Sequence, residues 1–462
     1  MASFGADKSF AADGDILVEL YYDGGSGPVN VGTGILRNGS LWAPAESMQR
    51  MGVALRGGPN GKGFYLDVQE PAEVFSMPEL AKLAGRSLPL YFPSIIEDKV
   101  SYFNVSGMEL LTKLSFELTE GSALFRVKNT SFAAYTAAKQ PNPAMQGKVS
   151  LVWAHITRDN PDLETEQVIN GLGVLSPTWF NFMDGGGNIA NRASVQYVEA
   201  AHKKGYQVWA LVSNGFSKDF TTQFFRNARA MDLFTARMLA YARLYNLDGI
   251  NVDFENVDEA DKDAFVRFMS FCMPYFSARG LKTSVDVHVP GNSKSSRSHD
   301  RAKLSASVDY IMLMAYDEHW RTCQTAGSVA SMPWVERAVQ NTLAEGVPAS
   351  KLVLGVPFYM RRWEETQIGG GRVKVKSFTL TMDEADSAAA KRGAVFQWNE
   401  AAGQDYYSYV ENGKTYKVWV ENEKSMERKL SLVSKYRLAG AAGWRKGHER
   451  GSIWNVFKQY LR

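Results

Sequence analysis

The chain has few of the residues that build metal centres or disulfide frameworks. Its 462 residues include two cysteines and six histidines. Cys272 and Cys323 cannot form a disulfide framework, and the scattered histidines argue against a structural zinc site. Cys272 falls on a helical stripe with Phe265, Phe268 and Met269, so we expect it to be a small buried apolar residue.

Strong charge and long apolar runs are also missing. The net charge is only +3, and no stretch is dense in lysine and arginine, which argues against a nucleic-acid partner. No apolar run is long enough for a membrane span, and Met1 to Asp15 hold no apolar segment of a signal peptide. Either the protein is cytoplasmic or it is an exported form whose signal peptide is absent from this sequence.

What is present is enough chain for two or three domains. Short β-like runs between glycine-rich turns fill residues 1–132, which predicts a small α+β module. Two segments of this module, 39–48 and 99–108, suggest a repeat of about sixty residues, each copy a strand, a short helix and a hairpin. Residues 133–147, with two prolines and small side chains, are the predicted linker.

The first of these copies is similar to the copper amine oxidase N-terminal-like domain over about fifty residues. That resemblance implies no copper, because this part of the sequence has no histidine cluster to bind it. We interpret the module as a non-catalytic domain for attachment or packing.

Residues 148–462 alternate apolar strands with amphipathic helices, which predicts an α/β fold, a (β/α)8 TIM barrel. An α+β insertion is expected between strands seven and eight, at about 359–422, and a hairpin is predicted around its turn at 411–414. The predicted barrel strands are Val149 to His155, Gly171 to Ser176, Gln207 to Ser213, Gly249 to Glu255, Thr283 to His288, Tyr310 to Tyr316, Leu352 to Pro357 and Gly440 to Trp444.

The fourth predicted strand carries an unusual set of polar side chains. Side chains alternate along a strand, so Asn251, Asp253 and Glu255 share one face with a spacing of about 6.6 Å. Burying three polar groups inside a barrel is costly, although a satisfied polar network is the alternative explanation. Catalytic residues of such barrels lie at the carboxyl ends of strands. Glu255 could therefore protonate a leaving oxygen, with Asp253 raising the pKa of its carboxyl group.

The segment Asp248-Gly-Ile-Asn-Val-Asp-Phe-Glu255 resembles the Asp-x-x-Asp-x-Asp-x-Glu signature of glycoside hydrolase family 18. Met314-Ala-Tyr-Asp317 looks like the Met-x-Tyr-Asp element of that family, and Gly443-Trp444 falls where the family keeps a tryptophan beneath the sugar. The resemblance covers about 148–462.

The resemblance implies a retaining glycosidase whose nucleophile is the 2-acetamido group of the substrate, by way of an oxazolinium ion. Glu255 would be the acid and then the base, and Asp253 would orient the acetamido N–H. Tyr316 would hydrogen-bond the acetamido carbonyl, Trp444 would form the floor, and Met314 and Asp317 would line the pocket. No cofactor or metal is implied. The expected partner is a polysaccharide that contains N-acetylglucosamine, and a monomer is expected.

One position departs from the family pattern, because Asn251 replaces the usual middle aspartate. We expect this amide to donate a hydrogen bond to Asp253 and to leave the pKa of Asp253 lower than in an Asp–Asp pair. The same asparagine, with the segments 314–320, 327–334 and 444–449, resembles the bacterial branch that degrades peptidoglycan and spore cortex. An extracellular or envelope-associated enzyme is therefore expected, with peptidoglycan favoured over chitin.

Four other residues have two interpretations each. Trp179 and Trp320 are candidate sugar platforms, and a core role explains each of them equally well. His288 could contact sugar hydroxyls, but the pattern favours a satisfied structural histidine. Asp248 has the opposite parity to the polar face and is expected to anchor the strand.

Two other classes of function compete with a glycosidase. A non-catalytic, chitinase-like carbohydrate-binding protein would keep the barrel, but it would have no use for the acid Glu255. A metal-dependent hydrolase or a phosphate-site aldolase would need metal-spaced histidines, a Schiff-base lysine or a phosphate loop, and the sequence shows no convincing set of these.

Overall fold

The computed structural model describes residues 15–119, 122–129 and 142–462. Most of the predicted linker, residues 133–141, lies outside the described residues. Among the described residues, no helix combines the length and the apolar character needed to cross a bilayer.

Eight parallel strands close into a barrel, as predicted, because the first strand pairs with both the second and the eighth. Each strand is almost wholly buried, as expected for strands covered by helices outside and packed side chains inside. The strands are Val149–Ala154, Val174–Phe182, Gln207–Ser213, Gly249–Asp253, Lys282–His288, Tyr310–Met314, Leu352–Pro357 and Gly440–Trp444, called barrel strands one to eight below.

The predicted bounds differ from the observed ones by two residues or more at strands two, four and six, and by one residue at strands one and five. Strand six ends at Met314, so Tyr316 lies in the loop beyond it. Strand two begins three residues later than expected and continues through Phe182, because it also pairs with the short antiparallel strand Ile189–Asn191. Strand four ends at Asp253, so Glu255 lies in the loop just beyond the strand. Phe254 between them is buried and stacks on Phe265 and Phe268 of the following helix.

The outer layer consists of helices that follow the strands and bury one apolar face each. Cys272 is fully buried in one of them, as predicted. In chain order these helices are Val195–Lys203, Lys218–Phe225, Ala228–Tyr245, Lys262–Ser277, Lys294–Arg297, Arg301–Ser307, Met332–Ala344, Glu423–Lys435 and Ile453–Leu461.

The insertion between strands seven and eight is a separate antiparallel sheet with one helix, Met382–Ala390, as the sequence predicted. Its predicted hairpin is present and pairs Glu411 with Lys414 across the turn. In spatial order the strands are Val373–Thr381, Tyr359–Gln367, Lys414–Val420, Gln404–Glu411 and Gln397–Asn399.

The described residues before the barrel form two sheets and four short helices, Ala45–Arg50, Pro71–Phe75, Pro78–Ala84 and Glu109–Thr112. The larger sheet has the spatial order Ser94–Glu97, Val100–Asn104, Ser40–Pro44, Pro28–Arg37, Ile16–Asp23, Leu124–Asn129 and Leu114–Leu118. The smaller sheet contains Leu55–Gly57, Phe64–Gln69 and Ser87–Phe92.

Hydrogen bonds join this N-terminal unit to the barrel. Tyr91 donates its N–H to the Tyr241 hydroxyl at 2.8 Å, and that hydroxyl donates to the Tyr91 carbonyl at 3.0 Å. Arg237, which is 3% exposed, donates to the carbonyl oxygens of Pro89 and Gly187. Buried polar groups are costly without partners, so these bonds fix the N-terminal unit against the helix Ala228–Tyr245.

Candidate active site

The carboxyl ends of the barrel strands surround a cavity of about 480 Å³, called the catalytic cavity below. Strand four contributes Asp253 and the loop beyond it contributes Glu255. Strand six and its loop contribute Met314, Tyr316 and Asp317, and strand eight contributes Trp444, which lies where strand eight pairs with strand one. Six side chains from three segments that are distant in sequence therefore meet at one end of the barrel.

Glu255 is held through its backbone. Asn214, which follows strand three and is fully buried, donates its side-chain N–H to the Glu255 carbonyl at 2.7 Å and accepts from the Glu255 N–H at 3.2 Å. A second donation from Asn214 goes to the Thr221 hydroxyl at 2.7 Å. The loop that carries the acid is thus fixed to the neighbouring β/α unit, while the Glu255 side chain remains one third exposed.

Burial raises the pKa of Glu255 to about 7, and the negative charge of Asp317 adds to this effect. Burial also raises the pKa of Asp253 well above its ordinary value, with further contributions from Glu255 and then Asp286. One oxygen of Asp253 is buried and has no hydrogen-bond partner among the described residues. A carboxyl group with a pKa near 7 can both donate and accept a proton near neutral pH, which suits a general acid and base.

Beneath these carboxyl groups, Asn251 is the centre of a fully buried network. Its amide oxygen accepts from Trp153 Nε1 at 2.9 Å and from the Ser176 hydroxyl at 3.3 Å. Its amide nitrogen donates to Ser284 Oγ at 3.0 Å and to Asp286 Oδ1 at 2.7 Å. The expected hydrogen bond from Asn251 to Asp253 is therefore replaced by one to Asp286 on strand five.

His288, at the end of strand five, lines the catalytic cavity, with Nε2 3.4 Å from Glu255 Oε2. Burial lowers its pKa to about 4, so the ring is neutral at physiological pH and this contact is not an ion pair. The expectation of a satisfied structural histidine was wrong, because Nε2 has no hydrogen-bond partner in the described part of the chain.

The insertion fixes one side of the site. Asp317 has a positive φ of 60° and accepts from the Tyr359 hydroxyl at 2.6 Å and from Arg361 Nη2 at 2.8 Å. Both partners lie on the first strand of the insertion, Tyr359–Gln367. The Asp317 charge that acts on Glu255 is thus positioned by a part of the chain outside the barrel.

The amino-acid sequence of the barrel matches a known protein family. The family model described as "Glycosyl hydrolases family 18" matches residues 153–448, about two thirds of the chain. The chain belongs to this family. As a family 18 member it is a glycoside hydrolase, and the fold and family resemblances predicted from the sequence are confirmed.

Three relatives illustrate the relationship. The chain is 29% identical over 286 residues to "Uncharacterized glycosylase YvbX" of Bacillus subtilis, covering 59% of this chain and 80% of that protein. It is 25% identical over 250 residues to the "Cortical fragment-lytic enzyme" of Bacillus anthracis, covering 53% of this chain and 57% of the relative. The crystal structure of the Bacillus megaterium spore cortex-lytic enzyme SleL superposes with a TM-score of 0.61 at 19% identity, covering 72% of this chain and 82% of that one.

Two tryptophans predicted as possible sugar platforms lie away from the cavity of this family 18 barrel. Trp179 is fully buried in the core, where Nε1 donates to Asn160 and the ring packs edge-on against Tyr197. Trp320 is 55% exposed and donates to Thr322, but it does not line the catalytic cavity. Sequence position could not separate these roles, because Trp179 lies within strand two, which continues beyond its predicted end, and the loop after strand six decides where the Trp320 ring points.

Asp248 anchors its strand, as expected. Its carboxylate accepts from the Val208 N–H at 2.7 Å, from His202 Nε2 at 2.8 Å and from Asn142 at 2.8 Å. Three hydrogen bonds account for a buried carboxylate on the face opposite the cavity.

Other lining residues were missed by the sequence interpretation, namely His155, Asn181, Arg192, Ser213, Asp286 and Tyr359. For Asp286 a signal existed, since Ser284, Asp286 and His288 alternate along strand five as Asn251, Asp253 and Glu255 do along the fourth strand predicted from the sequence. For the others no local pattern distinguishes a cavity residue from an ordinary strand or loop residue.

Proposed function

We propose that the chain is a retaining glycosidase that cleaves β-linked N-acetylglucosamine in a cell-envelope polymer by substrate-assisted catalysis. The observation that carries this proposal is the partly buried carboxyl of Glu255, with a pKa of about 7, in one cavity with Asp253, Tyr316 and Trp444. An acid of this kind is needed to protonate a glycosidic oxygen at neutral pH.

In the proposed first step, Glu255 donates its proton to the leaving oxygen while the bond from that oxygen to the anomeric carbon breaks. The carbonyl oxygen of the substrate's 2-acetamido group bonds to the anomeric carbon and gives an oxazolinium ion. Asp253 accepts the acetamido N–H and stabilises the positive charge. In the second step, Glu255 takes a proton from water as that water attacks the anomeric carbon. The bond from that carbon to the acetamido oxygen breaks, the 2-acetamido group re-forms and the configuration is retained.

Tyr316 and Trp444 complete the proposed pocket. Burial raises the pKa of the Tyr316 hydroxyl well above its ordinary value, so it stays protonated and can donate to the acetamido carbonyl. Trp444 packs near Trp153 and His155, with ring centroids 6.3 and 6.0 Å away, and offers a face for the sugar. Gly443, the residue before it, lets the Phe358 ring pack against strand eight, because a Cβ there would lie 2.1 Å from that ring.

We propose that Asp286 takes over the place of the middle carboxylate that Asn251 lacks. It lies beside Asn251 on the adjacent strand, and burial raises its pKa well above the ordinary value, as it does for Asp253. Besides Asp317, the cavity thus keeps the three carboxyl groups of Asp286, Asp253 and Glu255, among which a proton can be retained next to the acid.

Among the polymers that carry β-linked N-acetylglucosamine, we favour peptidoglycan over chitin. Two observations support this choice: the Asn251 variant of the signature and the similarity to a cortical fragment-lytic enzyme. The place of action would then be the cell envelope.

Mass spectrometry of digests tests this function. Purified peptidoglycan, chitin oligosaccharides and a high-mannose glycoprotein are incubated with the wild-type chain and with Glu255→Gln. We expect muropeptides with N-acetylglucosamine at the reducing end, and a loss of about 10³-fold in rate for the variant. Cleavage of the glycoprotein alone would overturn the proposal. Binding without cleavage would instead support a non-catalytic carbohydrate-binding protein.

A further inference from the structure

A second cavity, of about 670 Å³, lies between the N-terminal unit and the barrel and is called the junction cavity below. Residues 93–97 of the N-terminal unit form part of one wall, and residues 158–164, in the loop after barrel strand one, form part of the other. Arg192 lines both the junction cavity and the catalytic cavity, so the two adjoin. A substituent on a sugar in the catalytic cavity therefore has a space beside it to enter.

Arg192 is held by its backbone where the two cavities meet. It follows the short strand Ile189–Asn191, and its N–H donates to the Trp179 carbonyl of barrel strand two at 3.0 Å. Its carbonyl oxygen accepts from Asn160, in the loop after strand one, at 2.8 Å. These two bonds fix the backbone of Arg192 and leave its guanidinium group available to a ligand.

Among the described residues, the Arg192 guanidinium has no counter-ion. The half-buried side chain forms neither an ion pair nor a hydrogen bond with any of them. Its positive charge reaches the catalytic cavity, because it adds to the effects of burial and of Arg445 that lower the pKa of the lining residue His155. A half-buried arginine without a carboxylate partner is a suitable group to bind an anionic part of a ligand.

The lining of the junction cavity offers unpaired charges of both signs. Arg158 is exposed and, like Arg192, forms no ion pair within the described part of the chain. Asp159 and Glu199 are exposed carboxylates of the same lining and also form no ion pair there. A ligand that carries carboxylates together with an ammonium group matches such a lining better than a neutral sugar or a polyanion does.

Peptidoglycan carries a substituent of this kind, whereas chitin does not. In its alternating glycan, the sugar next to each N-acetylglucosamine bears a lactyl ether, and the carboxyl group of that ether carries a short peptide. The peptide has free carboxylates and, where it is not cross-linked, a free ammonium group. When an N-acetylglucosamine unit occupies the catalytic cavity, the peptide of the neighbouring sugar therefore emerges close to it.

We propose that the junction cavity binds this peptide substituent and that Arg192 binds one of its carboxylates. The inference rests on the proposed function for the identity of the polymer. A guanidinium group binds a carboxylate through two parallel N–H donors, so Arg192 supplies geometry as well as charge. The N-terminal unit then contributes to the choice of substrate, because fragments that carry the peptide gain affinity over those that lack it.

Calorimetric titration of the inactive Glu255→Gln protein tests the site without relying on catalysis. The probes are a peptidoglycan tetrasaccharide that carries its peptides and the same tetrasaccharide after an amidase has removed them. The readout is the ratio of the two affinities, which should favour the peptide-bearing probe. We expect Arg192→Met to lower this ratio about tenfold, and Arg192→Lys to lower it less, because lysine keeps the charge and loses the paired donors.

Arg243→Met is the matched control. The Arg243 side chain is also half-buried and forms no ion pair or hydrogen bond with a described residue, but it lines a separate cavity at the amino ends of the barrel strands. Both substitutions to methionine remove one positive charge and leave no partner unsatisfied, so both proteins should melt close to the parent temperature. The affinity ratio should stay unchanged in Arg243→Met. An equal fall in both variants would mean that overall charge, rather than a site, attracts the peptide.

Two other results would overturn the site. One is a parent protein that binds both probes equally, or a ratio that Arg192→Met leaves unchanged. The other is an equal loss of affinity for both probes in Arg192→Met. Arg192 would then bind the glycan or its lactyl carboxylate, and the assignment to the peptide would be wrong.

Comparison with cleavage by the wild type separates this site from the proposed function. If the wild type cleaves no polymer but the affinity ratio depends on Arg192, the proposed function fails and the peptide site stands. If the wild type cleaves peptidoglycan while both probes bind equally, the proposed function stands and the peptide site fails.

Discussion

The pKa of Glu255 depends on single neighbouring residues, and Asp317 is one of them. Its charge helps to raise the pKa of Glu255 to about 7, after burial. Removing that charge in Asp317→Asn should lower this pKa, so the loss of activity on the alkaline side of the pH–rate profile should begin at lower pH. The measurement is kcat/KM against pH on a soluble oligosaccharide.

Glu400→Gln, an exposed carboxylate of the insertion, is the control for Asp317→Asn. It should leave the alkaline limb in place. If the alkaline limb also stays in place in Asp317→Asn, burial alone, without the Asp317 charge, raises the pKa of Glu255.

The pair Asn251 and Asp286 offers a second test at this scale. Asn251→Asp should replace the 2.7 Å donation to Asp286 by repulsion between two carboxyl groups and raise the pKa of neighbouring Asp253. The acidic limb of the pH–rate profile should therefore move to higher pH. The double variant Asn251→Asp/Asp286→Asn keeps the number of carboxyl groups, and we expect it to return the limb toward its original position. An unchanged acidic limb in the single variant would contradict the proposed role of Asp286.

At the scale of elements, the loop after strand four depends on its neighbour. Asn214 binds both the N–H and the carbonyl of Glu255 from the loop after strand three. Asn214→Ala should leave these buried groups without partners, at a cost of about 1 to 3 kcal/mol in the free energy of unfolding. We also expect kcat to fall more than KM rises, because the acid is misplaced while the sugar contacts remain.

Asn256→Gly is the comparison variant for Asn214→Ala, because Asn256 has a positive φ of 53° that glycine adopts without strain. Asn256 is in the same loop and donates to the Phe216 carbonyl, but this bond is exposed. Its loss should change stability and kcat little. Equal effects of the two variants on kcat would show that general loosening of the loop, rather than the bonds to Glu255, governs the rate.

For the whole molecule, the buried acid makes stability depend on pH. The pKa of Glu255 is about 7 in the fold against an ordinary value of 4.5, so folding favours its protonated form. The stability that depends on the protonated Glu255 carboxyl is present at low pH and is lost as pH rises from about 4.5 through about 7. Glu255→Gln should therefore raise the melting temperature at pH 8 and change it little at pH 4.

The expected gain at high pH is about 1 to 3 kcal/mol, reduced by the partial exposure of the side chain. Calorimetry at pH 4 and pH 8 measures this gain. Glu400→Gln is the control, and its effect on the melting temperature should be the same at both pH values. A gain of equal size at pH 4 and pH 8 would contradict an acid whose pKa is raised by the fold.

The amino-acid sequence by itself determined the barrel, the insertion and the position of Glu255. These features follow from local patterns of consecutive residues. The patterns are apolar runs of strand length, apolar stripes at helical spacing and the polar alternation of Asn251, Asp253 and Glu255. The polar alternation of Ser284, Asp286 and His288 on strand five is also a local pattern. The ends of the strands were predicted less accurately, because pairing with other strands decides where strands two and four end.

The tertiary structure alone decided which side chains meet. It brought Asp286 to Asn251, held Asp317 with two residues of the insertion, and buried Trp179 away from the cavity. Such contacts depend on barrel closure and on the docking of the N-terminal unit. No local pattern encodes them, because burial and charge at a site are properties of the folded arrangement.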